Sequence, residues 1–315
     1  GEPAMRTILL LAALGSGATP AADLPAAAFA PAQLEALITD ARLDEISGIA
    51  ASRRNDGILW VHNDSPKPAE LCAIDTRGNR RACLRIEGVR AVDWEDIASY
   101  QLDGKSWLLI GDIGDNGGVR KDYELIAVEE PDLSAEPPML SVKPAWRQRF
   151  RYPDGSHDAE AMAIDVRSRE ILLINKHAPL ALYSLPLDSV GSTATSRVAR
   201  RLASIDSIPQ PAPSERLARF PAARFGGSPT GMDIDAEGRR AIVLTYRDAW
   251  LFPRAPGETW QTAFSRTPQR LALPPLAQAE AIAFDRLGRS IHISGERLPA
   301  PLLRLDPADQ EPAAH

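Results

Sequence analysis

The chain has 315 residues, a net charge of −6 at pH 7 and an apolar fraction of 44%. The acidic balance gives no basic surface for nucleic acid, and the apolar fraction is that of a globular rather than a disordered protein. The composition therefore predicts a small molecule or an ion as the partner, and no nucleic acid.

The first residues have the pattern of a secretory signal peptide. Met5 and Arg6 stand before ILLLAALGSGATPA, an apolar run that is too short to span a bilayer and ends in small residues. We therefore predict a signal peptide with a leader remnant over residues 1–22, a linker over 23–34 and one domain over 35–315; a disordered Ala-rich tail is the alternative. The prediction implies a secreted or periplasmic protein without a membrane span.

Five segments of the domain share one pattern. They read EISGIA (45–50), DWEDIA (93–98), DAEAMA (158–163), PTGMDI (229–234) and QAEAIA (278–283). Each leads into an apolar strand, a turn with Asp, Gly or basic residues, and further short strands. This repeat predicts an all-β fold, a five-bladed β-propeller with four-stranded antiparallel blades.

The two ends of the chain are predicted to complete one blade together. The last unit has three strands, so an N-terminal strand at residues 36–43 should pair with the strand at 301–305 and close the ring. Residues 207–227 contain four prolines and no apolar alternation, which indicates an inserted loop rather than a sixth blade.

The two cysteines lie on either side of a predicted turn. With Arg77 and Gly78 at its centre, Cys72 and Cys83 would face each other on antiparallel strands. In an exported protein such a pair is expected to form a disulfide. Two buried thiols are the alternative, because the geometry between neighbouring strands is often unsuitable for a bridge.

One oxygen-bearing residue recurs at the same register in all five units. The residues are Ser47, Glu95, Glu160, Thr230 and Glu280. In a propeller the first strand of each blade lines the channel, so these side chains should converge at its mouth, where three glutamates repel one another. Oxygen ligands in a wide ring favour Ca²⁺ over Mg²⁺. The sequence therefore predicts a calcium ion, with hydrogen-bonded channel water as the alternative.

The second strands end at the same face and add polar groups to it. We predict three catalytic residues and seven that bind substrate; the catalytic residues are Asp64, Asp112 and His177, and the binding residues are Asn63, Asn116, Lys176, Tyr246, Arg247, Glu296 and Arg297. Each of these has a simpler interpretation as a turn former, a solvated side chain or half of an ion pair.

The register series, with EISG in the first unit and DWED in the second, resembles the calcium-activated nucleotidase (apyrase) family. The resemblance implies a secreted five-bladed propeller whose central calcium is held by Ser47, Glu95, Glu160 and Glu280, with Thr230 in place of a serine. The chain also resembles uncharacterised exported phytase-like propellers of bacteria. That resemblance implies a propeller fold and an export signal but does not indicate which reaction is catalysed.

Two functions are compatible with these features. The first is a monomeric calcium-dependent hydrolase of a small anion such as a phosphate ester or anhydride, in which calcium neutralises substrate charge. The second is a non-catalytic propeller that binds a ligand or a protein and uses calcium as a structural ion. The fold by itself does not separate them.

Overall fold

The computed structural model describes residues 29–137, 139–188, 195–219 and 221–308. The predicted signal peptide, residues 1–22, lies outside the described residues. Within these four ranges, no helix is long and apolar enough to cross a membrane.

The strands form five sheets, and each sheet is one blade. The closing strand and the strands of the first two blades are, in chain order, β1 (Gln33–Ile38), β2 (Ile46–Ala51), β3 (Ile58–Asn63), β4 (Glu70–Asp75), β5 (Arg80–Ile86), β6 (Trp94–Leu102), β7 (Lys105–Asp112), β8 (Tyr123–Glu129), β9 (Ser141–Val142) and β10 (Trp146–Arg151).

The remaining three blades follow in the same order along the chain. Their strands are β11 (Ala159–Asp165), β12 (Glu170–Asn175), β13 (Ala181–Pro186), β14 (Arg197–Val198), β15 (Arg200–Ser204), β16 (Pro229–Ile234), β17 (Arg240–Thr245), β18 (Asp248–Pro253), β19 (Gln269–Ala272), β20 (Ala279–Phe284), β21 (Ile291–Gly295) and β22 (Ala300–Leu305). The short helices are α1 (Pro221–Arg224), α2 (Trp260–Ala263) and the 3₁₀ turns Ala41–Leu43 and Glu215–Leu217.

The inner strands of the blades form a closed ring. Strand β2 contacts β6, β6 contacts β11, β11 contacts β16, β16 contacts β20, and β20 returns to β2. Because side chains alternate between the two faces of a strand, each blade buries apolar residues against both neighbours, and the core consists of five such layers. Trp94, for example, is fully buried in the layer between blades 1 and 2. The predicted five-bladed propeller is confirmed.

The N-terminal strand closes the last blade as predicted, although its position along the chain differs. Strand β1 pairs with β22, and it covers Gln33–Ile38 rather than residues 36–43. It therefore begins within the predicted linker. Residues 41–43 form a 3₁₀ turn instead, because the Asp40 side chain accepts a hydrogen bond from the Arg42 amide and ends the strand.

Two blades have a fifth strand that the repeat did not predict. Strand β9 adds to β5 of blade 1, and β14 adds to β10 of blade 2, both in parallel orientation. Each lies where the chain passes the outer edge of the preceding blade and pairs through only two residues. Such short pairing has no sequence periodicity, yet it covers an edge strand that would otherwise be open.

The predicted disulfide is confirmed. Cys72 on β4 lies opposite Cys83 on β5, and the two sulfur atoms are bonded. The bridge joins residues separated by 11 positions in the sequence.

Removal of the bridge should destabilise the protein moderately. The double substitution Cys72→Ala with Cys83→Ala opens a short loop, so the free energy of unfolding should fall by about 2 kcal/mol. Urea denaturation of both proteins measures the difference. If the denatured, unreduced wild type reacts with two equivalents of a thiol reagent, there is no bridge.

Candidate metal centre

Each inner strand has a β-bulge at the same place. The extra residue of the bulge is in every blade the predicted calcium ligand, namely Ser47, Glu95, Glu160, Thr230 and Glu280. A bulge interrupts the alternation of a strand and re-aims one side chain. All five side chains are buried at this mouth of the channel, which we call the upper mouth. Two distinct groups form around them.

The first group contains three carboxylates, Asp64, Asp93 and Glu95, which we call the acidic triad. One oxygen from each lies within 4.8 Å of the others. Ser47 donates a hydrogen bond from Oγ to Glu95 Oε2 over 3.1 Å. Asp64 follows the second strand of blade 1, whereas Asp93 and Glu95 stand at the start of the inner strand of blade 2. The triad therefore gathers oxygen ligands from two blades.

A glycine makes room for the acidic triad. A Cβ atom on Gly114 would lie 2.2 Å from Asp93 Oδ2 and 2.6 Å from Glu95 Oε1. No larger residue could stand there without displacing both carboxylates. The Gly114 amide also donates to the Asp93 carbonyl oxygen over 3.2 Å. The IGDIGDN segment (110–116) thus forms one wall of the site through its backbone.

Asp112 positions the triad rather than facing the channel. Its carboxylate accepts hydrogen bonds from the amides of Val92, at 3.1 Å, and Asp93, at 2.9 Å. Arg120 pairs with the same carboxylate at 2.8 Å. With all of these partners and 2% exposure, Asp112 holds the loop that carries Asp93. Its predicted role as a catalytic base has no support in this geometry.

The second group surrounds a buried ammonium group. Lys176 Nζ donates to Glu160 Oε1 over 2.5 Å and lies 5.5 Å from the ring centre of Tyr246. Burial lowers the pKa of Lys176, but the charge and hydrogen bond of Glu160, together with the charges of Tyr246 and Glu280, outweigh burial and raise it. Glu160 Oε2 is buried without a hydrogen-bond partner. The Thr230 hydroxyl donates to the backbone oxygen of Ala279 over 2.7 Å and so joins blades 4 and 5.

Burial and mutual repulsion disfavour the charged forms of the triad carboxylates. Burial raises the pKa of Glu95 well above its ordinary value, and the charges of Glu160, Asp93 and Asp64 raise it further. Burial and the charge of Asp93 together raise the pKa of Asp64 to about 6. Burial likewise raises the pKa of Glu280. A cation among these groups would favour their charged forms and oppose the shifts.

A histidine and an aspartate meet beside this group. His177 Nε2 lies 3.5 Å from Asp158 Oδ2, and Asp158 Oδ1 accepts the amide hydrogen of Asp115 over 2.8 Å. Burial raises the pKa of Asp158, but the nearby His177 and the hydrogen bond from the Asp115 amide outweigh burial and lower it. The His177 side chain is 56% exposed, so it can reach a molecule above the channel.

The other predicted substrate residues lie around the rim, where most have partners. Asn63 accepts from the Glu45 amide and donates to the Arg42 carbonyl oxygen. Asn116 is exposed on its turn.

The two predicted arginines are also engaged on the rim. Arg247 pairs with Glu215 of the inserted loop at 2.5 Å. Arg297 donates from Nε to Gln278 over 3.2 Å. Burial, together with the charges of Asp64 and Glu45, raises the pKa of Glu296 to about 7.

The structure places three further residues at the site that the sequence analysis did not include among the site residues. Asp93 is a full member of the triad, Asp158 lies beside His177, and Gly114 makes room for two carboxylates. A signal for two of them was present, because Asp93 and Asp158 each stand two places before a ring glutamate. Asp96, the residue after Glu95, is fully buried inside the channel.

Asp96 fills the channel below the ring. Its Oδ2 accepts hydrogen bonds from the amides of Met162, at 3.0 Å, and Met232, at 3.3 Å, which belong to blades 3 and 4. Oδ1 accepts from the Ile97 amide at 2.9 Å. Burial raises its pKa well above the ordinary value. This side chain links three blades across the axis.

Comparison with known proteins does not identify a family for this chain. No family model matches the sequence, and no curated protein is significantly similar to it. Among solved structures, a luciferin-regenerating enzyme is similar over 84% of this chain and 78% of its own, with 12% identity and a TM-score of 0.45. A likeness at this level carries no argument about activity, and the resemblance to apyrases stays a prediction.

Proposed function

We propose that this protein is an exported calcium-binding propeller that hydrolyses a small anionic substrate at the upper mouth of its channel. The observation that carries the proposal is the acidic triad, whose three oxygens lie within 4.8 Å of one another. The neighbouring cations pair elsewhere, Lys176 with Glu160 and Arg120 with Asp112. Clustered carboxylates without such a partner, of which Glu95 is buried and Asp64 and Asp93 are half-buried, are a typical environment for a metal ion.

The donor set favours calcium. Asp64, Asp93 and Glu95 would hold the ion, the Ser47 hydroxyl lies beside them, and Glu160 Oε2 is buried without a hydrogen-bond partner. All of these ligands are hard oxygen donors from separate strands and loops, an arrangement that suits the flexible coordination of Ca²⁺ better than octahedral Mg²⁺. A bound calcium ion would supply positive charge for a substrate oxygen and acidify a water molecule.

The chain itself offers a base beside this site. His177 is exposed and can accept a proton from an attacking water, and Asp158 Oδ2 lies 3.5 Å from its Nε2. Lys176 and Tyr246 form the adjoining wall. Because the mouth is acidic, an anionic substrate is repelled until a cation neutralises it, and we therefore propose that turnover requires calcium.

A structural role for calcium is the second candidate, and one observation favours it. The cations that should hold an anion already have partners: Lys176 pairs with Glu160, and Arg247 pairs with Glu215 of the inserted loop. In that case the ion joins blades 1 and 2, and the face binds a ligand or a protein without turnover.

Loss of one triad carboxylate should abolish most of the calcium response. In chelator, Glu95→Gln should melt no lower than the wild type, because it relieves repulsion among buried carboxylates. Added calcium should raise the melting temperature of the wild type, whereas Glu95→Gln should bind the ion more than about tenfold more weakly. Thermal denaturation and calorimetric titration measure both effects.

Glu129→Gln, an exposed change of the same type, is the control and should respond like the wild type. A wild type whose melting temperature is the same in calcium and in chelator would exclude a calcium site.

A methyl group at Gly114 should disrupt the same site without changing its charge. Gly114→Ala places a Cβ atom within 2.6 Å of both Asp93 and Glu95, so calcium affinity should fall roughly tenfold or more. Gly117→Ala is the matched control in the same loop, because its Cβ atom would meet nothing closer than 3.6 Å. Equal calcium affinity in the two variants would refute the predicted wall.

Catalysis should depend on the histidine and not only on the ion. With calcium bound, His177→Gln should lower kcat by roughly a hundredfold and leave KM and the calcium-induced rise in melting temperature nearly unchanged. A panel of phosphate esters, anhydrides and nucleotides, assayed with and without chelator, provides the measurement. If the calcium-loaded wild type hydrolyses none of them, the non-catalytic function replaces the hydrolase.

A further inference from the structure

The opposite end of the channel, which we call the lower mouth, has a different chemistry. A cavity of about 260 Å³ lies where the inner strands of blades 1 to 4 end, and Arg53, Ser99, Val166 and Asp235 are among the residues that line it. None of these residues contributes to the acidic triad. The cavity is therefore a second concave site on the channel axis.

Arg53 is a buried cation in the wall of this cavity. The residue is 8% exposed. Its Nε donates to Ser99 Oγ over 3.2 Å, and its Nη1 donates to the backbone oxygen of Arg286 over 2.9 Å. Among the described residues, no carboxylate oxygen lies within 4.0 Å of the guanidinium. Both hydrogen bonds go to neutral oxygens, so the charge itself has no counterion in contact.

The acids around the lower mouth have other partners. Asp235 pairs with Arg240 at 3.2 Å, and Glu237 pairs with Arg167 at 2.8 Å. Asp233 is buried nearby, and its Oδ2 accepts the amide hydrogen of Phe284 over 2.8 Å. Glu130 is fully buried as well and accepts the amide hydrogen of Arg53 over 2.9 Å. Asp233 and Glu130 favour the charged form of Arg53 without touching its guanidinium.

An unpaired guanidinium that is nine-tenths buried is unfavourable, because its hydration is lost and no contact charge replaces it. We propose that the lower mouth binds a small monoanion, a halide or a single carboxylate, against the guanidinium of Arg53. One guanidinium without a carboxylate in contact offers a site for one negative charge. The acids on the rim disfavour an anion of higher charge.

The anion would also connect blades. Arg53 belongs to blade 1, Ser99 to blade 2, and the Arg286 carbonyl to blade 5. Fixing the guanidinium with a bound anion would hold these three blades together at the lower mouth, as Asp96 connects blades 2, 3 and 4 inside the channel. The expected effect is stabilisation of the folded protein through binding to it alone.

Melting temperatures with two different anions test the proposal. Sodium bromide and sodium formate are titrated separately, with the sodium salt of a bulky sulfonate keeping the ionic strength constant. The melting temperature of the wild type should rise in a saturable way by about 2 °C or more at roughly ten times Kd with at least one of them. The two titrations separate a halide site from a carboxylate site.

Variants and a crystal grown in bromide locate the site. Arg53→Gln should lose the saturable rise, whereas Arg167→Gln, an exposed arginine on the same rim, should keep it. An anomalous bromide peak at hydrogen-bond distance from Arg53 supports the proposal, also if Arg53→Gln does not fold. A wild type that responds to neither anion more than to the sulfonate overturns it, as does a response that Arg53→Gln retains in full.

Discussion

Repulsion among buried carboxylates is the constraint on which the upper mouth of the channel depends. Five inner strands converge there, and a bulge in each one turns its extra side chain toward the others. Three of these side chains are glutamates, and Asp64 and Asp93 add further negative charge. Burial raises their pKa values, so the ring needs a counter-charge. Lys176 provides it on one side, and the proposed calcium ion would provide it on the other.

The loop after the second strand of blade 2 shows how the scaffold maintains this arrangement. Asp112 binds two amides at the start of the inner strand, and Gly114 packs directly against the carboxylates. Asp115 closes its own turn by accepting hydrogen bonds from the amides of Val119 and Arg120. Asp112 and Asp115 thus hold the backbone of this short segment in place. The absence of a side chain at Gly114 leaves the space that the carboxylates of Asp93 and Glu95 occupy.

The interior of the channel separates two ends of opposite character. In four blades the residue after the bulge is small, Gly48, Ala161, Gly231 or Ala281, and in blade 2 it is Asp96. A single carboxylate can therefore reach across the axis and accept amide hydrogens from two other blades. Above it lies the acidic upper mouth, and below it the unpaired cation Arg53. The Asp96 side chain thus lies between the two proposed sites.

The sequence by itself determined the number of blades, the closure by the N-terminal strand, the disulfide and the register of the ring. These follow from periodic burial and short-range pairing, which leave a repeated pattern along the chain. Only the tertiary structure decided which charged groups come into contact. Asp64 and Asp93 form a cluster with Glu95, whereas Lys176 forms an ion pair with Glu160. Such contacts join residues distant in sequence at the convergence of separate blades. The direction of each side chain there depends on bulges and on a missing Cβ atom, which periodicity does not encode.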